Sequence, residues 1–173
     1  MNKTFSTKRL CRAAVIAALY TVLTYVFMPL AFGPFQIRPA EALCILPLFY
    51  VEAIPALAVG CMLSNLASPY LLYDVCVGSL TTLIAAFISY LVGRFIKKDR
   101  TAILLGGLPP VLLNAIVIPF IIVFLYDGVA SVGAYFSYFF SLLTTQSVWV
   151  YGLGAPLYYA IKRLQRKKQK AFE

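Results

Sequence analysis

Uncharged apolar stretches follow one another along this chain with few interruptions, and their lengths predict its elements. No charge occurs between Ala13 and Ile37, which is ample for the ~20 helical residues that cross a hydrocarbon core about 30 Å thick. Lys3, Lys8, Arg9 and Arg12 precede it like the start of a secretory signal. The run nevertheless exceeds the ~7–15 residues of a signal core, so a retained first span is expected. Beyond Pro34 and Pro39, the segment from Ala42 to Tyr73 carries one charge, Glu52, with Pro55 close behind it; a helical hairpin turning near 51–55 is predicted. Further uncharged stretches run from Val75 to Gly93, Thr101 to Tyr126 and Gly128 to Ile161. The pattern predicts an all-α integral membrane bundle of six transmembrane helices, at about 10–31, 40–52, 54–70, 74–96, 102–126 and 135–161, followed by a basic tail over 162–173.

Composition sharpens this picture. Of 173 residues, 62% are hydrophobic and 12% charged, and the mean hydropathy is +0.87, a balance that predicts a single transmembrane domain over 1–173 with no separate soluble catalytic domain. The net charge of +9 would raise nucleic-acid binding in a soluble protein. Here the cations cluster at the ends of apolar runs, as topology signals and anchors to the headgroups of a lipid bilayer, with no basic groove interleaved with stacking aromatics. All 15 Lys and Arg except Arg38 fall in the amino end, the connection over 94–100 or the tail. An even number of spans puts all three on one face, so the protein is expected in the cell membrane, multi-pass, with both termini cytoplasmic and Arg38 outside.

The same inventory removes most chemistries. There is no histidine, and Cys11, Cys44, Cys61 and Cys76 are widely spaced, so no disulfide, metal site or cofactor is assigned and the protein is expected not to be an enzyme. No phosphate-cradling glycine loop is present, so ATP cannot be used by this chain itself. Glu52 and Asp74 are expected at helix ends, and Asp99, Asp127 and Glu173 in loops or at the terminus, which leaves no deep carboxylate pair for ion coupling or catalysis.

The most informative stretch is Phe35-Gln36-Ile37-Arg38-Pro39-Ala40-Glu41-Ala42-Leu43, at the outer mouth between the first two spans. Arg38 and Glu41 either form a local ion pair that orients the loop or face a polar solute entering from outside, with Glu41 accepting the donors of a purine-like edge. Asn65, Asn114 and Gln146 fall within apolar spans, with Trp149 about a turn from Gln146. Each either joins helices by hydrogen bonds or contributes to a cavity for a flat heterocycle. Asp74 is a helix cap or a ligand contact. Ala13, Ala14, Ala17 and Ala18 form two overlapping small-x-x-x-small pairs, fit either for packing within the bundle or for docking another membrane protein.

These residues carry a resemblance. The chain resembles the QueT family, the queuosine-precursor substrate-binding subunits (S components) of energy-coupling factor transporters. The likeness rests on Arg12-Ala13-Ala14-Val15-Ile16-Ala17-Ala18-Leu19-Tyr20, on Gly33 to Leu43, on 47–56, on Gly78-Ser79-Leu80, on Leu108-Pro109-Pro110-Val111-Leu112-Leu113-Asn114-Ala115 and on Gly154-Ala155-Pro156-Leu157. It implies a six-helix subunit that captures a 7-deazaguanine such as preQ0, preQ1 or queuine outside and delivers it inside. It further implies that Ala13, Ala14, Ala17 and Ala18 face a transmembrane coupling protein, and that two cytoplasmic ATPases supply the energy. The other reading is a solitary secondary carrier for a nucleobase-like or other small heterocycle.

Overall fold

The computed structural model describes residues 6–32, 35–126 and 131–170; Lys3, Gly33, Pro34, Asp127 and Glu173 lie outside them. Among the described residues every regular element is a helix, with no strand. Helix α1 (Thr7–Val26) is followed by a single turn, α2 (Met28–Ala31), a 3-10 helix (Pro39–Leu48) and α3 (Ala53–Asn65). A short α4 (Leu71–Tyr73), a π-helical stretch (Asp74–Gly78) and α5 (Ser79–Phe95) form one continuous rod, Leu71–Phe95. Helix α6 (Asp99–Phe120) continues into a second π stretch, Ile121–Tyr126. Helix α7 (Val132–Ser147), a third π stretch (Val148–Leu153) and α8 (Gly154–Lys170) follow without a break.

Thr7–Val26, Leu71–Phe95 and Asp99–Leu125 are long and apolar enough to cross a membrane. Pro39–Leu48 and Ala53–Asn65 are shorter: ten residues of 3-10 helix at ~2.0 Å each and thirteen of α-helix at ~1.5 Å each both give about 20 Å. The segment expected as an α-helical span over 40–52 is therefore a compact 3-10 rod that stops at Leu48. Pro47 lies inside it, and its missing N–H and bulky ring oppose an α-helical ladder through this point.

That rod is the axis of the molecule. Every residue from Pro39 to Pro47 is buried, and the rod touches α1, α3, α5, α6, α8 and the Val148–Leu153 stretch. Glycines allow the approach. A Cβ on Gly93 would stand 2.6 Å from the Leu48 carbonyl oxygen, and one on Gly60 would stand 2.9 Å from Tyr20 Cβ and 3.0 Å from the Ala17 carbonyl oxygen. Such contacts are shorter than packed interiors tolerate. Outside this core, Val15, Leu19, Val22 and Val26 line an exposed ridge of α1, and Leu104, Leu108, Leu112 and Ile116 one of α6, as helices facing hydrocarbon do.

One end of the bundle is tied by charge. Arg12 donates to Glu52 at 2.5 Å and stacks over the Tyr50 ring at 4.1 Å. Gln165 Nε2 donates to Tyr50 Oη at 3.3 Å. Lys162 and the Tyr158 hydroxyl both donate to Asp99. The Lys162 hydrogen bond holds the Asp99 carboxyl below its usual range. The hairpin turn, the start of α6 and the end of α8 are thus gathered at one end.

Candidate functional site

Toward the other end the apolar interior is interrupted by a small, partly enclosed cavity of about 10 Å³, lined by Arg38, Glu41, Cys61, Asn65, Asp74, Gly78, Thr82, Asn114 and Ile118. Its walls come from the 3-10 rod, α3, the Asp74–Gly78 π stretch, α5 and α6. A volume of this size accommodates roughly one water.

Glu41 stands in the first turn of the rod and is wholly buried. The Tyr20 hydroxyl donates to its Oε1 at 2.6 Å, and the Cys44 thiol donates to Oε2 at 3.2 Å. The first length is that of a charge-assisted O–H···O⁻ bond. Arg38 is equally buried, but among the described residues no ion pair joins it to Glu41. Its Nε donates to the Ala31 carbonyl at 2.9 Å, and its guanidinium lies 4.8 Å from the Phe32 ring centroid. The local Arg38–Glu41 ion pair open in the sequence is thereby excluded: the two side chains reach the same cavity while held by different elements.

Asn65 ends α3. Its Nδ2 donates to the Asp74 carbonyl at 2.7 Å and reaches Cys61 Sγ at 3.4 Å, while its buried Oδ1 has no partner. Both neighbours of the NH₂ group are acceptors, which fixes the amide orientation and turns the carbonyl oxygen into an unused acceptor. Asp74 is not the N-terminal helix cap considered from the sequence, because the helix begins earlier, at Leu71, and among the described residues no backbone N–H donates to its carboxylate. Instead its Oδ2 accepts from the Ser68 hydroxyl at 2.5 Å. Glu41 and Asp74 correct a second expectation. They form a pair of buried carboxylates beside one cavity, which the sequence reading had placed out of reach because the rod's all-round burial and the early start of the Leu71–Phe95 rod were invisible to it.

The cavity thus gathers Arg38, Glu41, Asn65, Asp74 and Asn114, but not Gln146 or Trp149. Gln146 is buried on α7 with its Oε1 unpartnered, and Trp149 is half-buried in the following π stretch. Cys61, Gly78, Thr82 and Ile118 were missed by the sequence reading. All four stand four residues from another cavity residue, Cys61 before Asn65, Gly78 after Asp74, Thr82 after Gly78 and Ile118 after Asn114. Helical i, i+4 neighbours share a face, and that signal could have found them. Tyr20, which fixes Glu41, had no such marker. Among the described residues no cluster is suited to hold a metal ion.

A larger concavity, an apolar groove of about 600 Å³, lies elsewhere, between α1 and α3. Ala13, Ala14 and Ala17 line it together with Arg9, Glu52 and Pro55. The groove has few polar groups, in contrast to the small cavity. The alanines divide their work: Ala17 packs on Gly60 inside the bundle, whereas Ala14 and Ala18 are exposed, and Ala18 is not among the groove residues.

Over residues 10–163 the sequence matches a family model described as QueT transporter. A relative from Lactococcus lactis subsp. cremoris (strain MG1363), named queuosine precursor transporter QueT, is 36% identical over 88 residues, 50% of this chain and 52% of that protein. The match thus spans about half the length of the curated relative. No solved structure matches.

Proposed function

The chain belongs to the QueT transporter family, and on that premise we propose that it is a membrane subunit that captures a queuosine precursor outside and delivers it to the cytoplasm. The expected solute is a 7-deazaguanine such as preQ0, preQ1 or queuine. The observation that carries this reading is the polar cavity within an otherwise apolar bundle. A deazaguanine presents adjacent N–H donors and a carbonyl acceptor on a flat ring. Carboxylates such as Glu41 and Asp74 suit the donors, and Arg38 or Asn114 suits the acceptor. Asn65 Oδ1, buried and unpartnered, is a further acceptor open to a ligand N–H.

At about 10 Å³ the cavity is nearly filled by its own side chains, far below the ~300 Å³ or more of occupied ligand sites. Capture therefore requires the segment bearing Arg38 and Glu41 to separate from the helices bearing Asn65, Asp74 and Asn114. Widening toward α7 would bring in Gln146 and Trp149. We read the bundle as six crossings with both termini cytoplasmic, Pro39–Leu48 and Ala53–Asn65 being two short ones. The one-sided distribution of Lys and Arg supports that orientation.

Without a phosphate-binding loop, the energy for release comes from a transmembrane coupling protein and two cytoplasmic ATPases of an energy-coupling factor module. The apolar groove at Ala13, Ala14 and Ala17, with Ala18 beside it, is the surface we assign to the coupling protein. Calorimetric titration of the purified protein with preQ0, preQ1 and queuine tests the specificity, and no heat with any of them would remove it. Glu41→Ala should weaken binding, and an unchanged affinity would return Glu41 to a purely structural role. The buried Glu41 and Asp74 carboxylates favour one competing reading, a solitary carrier using them as proton sites. Uptake into vesicles that lack the coupling protein and ATPases would establish that reading instead.

A further inference from the structure

The charged groups of the cavity do not balance. Glu41 and Asp74 bring two carboxylates, and Arg38 brings one guanidinium; all three are at least nine-tenths buried. The neutral members add an unpartnered acceptor at Asn65 Oδ1. With both carboxylates ionised the buried site carries one uncompensated negative charge, which is costly until a cation enters it. The two carboxylates also differ in what they have left to offer. Both oxygens of Glu41 already accept, one from Tyr20 and one from Cys44. Asp74 accepts from Ser68 through Oδ2, and among the described residues its Oδ1 has no donor.

We propose that Asp74 is the specificity-determining residue of this cavity, its free Oδ1 receiving the ammonium of a primary-amine-bearing 7-deazaguanine, so that the protein selects cationic precursors over neutral ones of the same ring. The inference rests on the deazaguanine reading above. Glu41, held in place by Tyr20 and Cys44, takes the N–H edge of the ring. Asp74, at the start of a separate rod, takes the cationic substituent, and Arg38 faces the ring carbonyl. The ligand's single positive charge brings the loaded cavity to neutrality, which suits an occupied site that must later move within a membrane. Neutral ligands leave the charge unmatched and Asp74 Oδ1 unpaired.

The test is titration of the full-length protein in detergent with preQ1, which carries an aminomethyl group, against preQ0, its nitrile counterpart, and 7-methyl-7-deazaguanine, both neutral. Hydrogen bonds to charged groups support an expected preference of about ten- to a hundredfold for preQ1 over both neutral compounds. Asp74→Asn should erase most of that preference, weakening preQ1 at least about tenfold more than preQ0, and Asp74→Glu should retain it. Equal wild-type affinities for all three compounds would overturn the charge assignment and leave the deazaguanine reading intact. Equal weakening of all three by Asp74→Asn would reduce Asp74 to a structural role, with the same consequence. Binding of none of them by folded wild type would defeat both. Should Asp74→Asn not fold, the wild-type ranking of the three compounds decides the question.

Discussion

Replacing Tyr20 with Phe deletes one oxygen from the middle of the molecule and nothing else. The ring is fully buried, and its hydroxyl donates to Glu41 Oε1 at 2.6 Å. Once that donor is gone, Glu41 retains, among the described residues, the Cys44 thiol at 3.2 Å, and a thiol is a weak donor. Hydrogen bonds to charged groups contribute about 1.5–3 kcal/mol, whereas neutral interhelical bonds in membrane proteins average about 0.6 kcal/mol. Tyr20→Phe should therefore cost about 1.5–3 kcal/mol. The assay is unfolding of the purified protein in a mild detergent, comparing Tyr20→Phe in the wild type with the same change in a Glu41→Leu background. With the carboxylate absent, the hydroxyl is left with the Cys61 sulfur, a weak acceptor, and the substitution should cost less than it does in the wild type; the difference is the coupling between the two side chains. A coupling near 0.6 kcal/mol would mean that the carboxyl is neutral in the resting state, and the charge imbalance argued for the cavity would fall with it. No coupling at all would refute the bond as a stabilising contact.

Further outcomes follow from other parts of the structure. Gly60→Val forces side-chain atoms into Tyr20 and the Ala17 backbone and should destabilise the α1–α3 pair by about 1–3 kcal/mol, read by the same unfolding assay. Ala14→Trp fills the exposed groove without entering the core. It should leave solute binding by the isolated protein unchanged and abolish ATP-dependent uptake in the reconstituted complex; normal uptake would free the groove from its assigned partner. The Asp99 carboxyl is held below its ordinary value by Lys162, so its contribution to stability is complete above the unfolded value near ~3.9 and disappears as pH falls through the lower folded value. Melting temperatures of Lys162→Met and wild type should accordingly converge under strong acid, whereas a gap that persists unchanged there would rule out this source.

The helical, membrane-protein character of the chain was legible in the sequence, because an uncharged run of sufficient length has few alternatives to a buried helix. The turn between the 3-10 rod and α3 was legible too, marked by Glu52 and Pro55. Which side of each helix looks inward was not. In a membrane the outer face of a helix is as apolar as the core, so periodicity does not separate Val15, exposed on α1, from Ile16, buried beside it. Only the tertiary structure decided that Pro39–Leu48 is enclosed on all sides, that Arg38 turns to the Ala31 carbonyl rather than to Glu41, and that Glu41, Asn65, Asp74 and Asn114 share one cavity. The physical reason is that a polar group without lipid-accessible partners must find its hydrogen bonds on whichever helices pack around it, and the sequence of one helix does not say which those are.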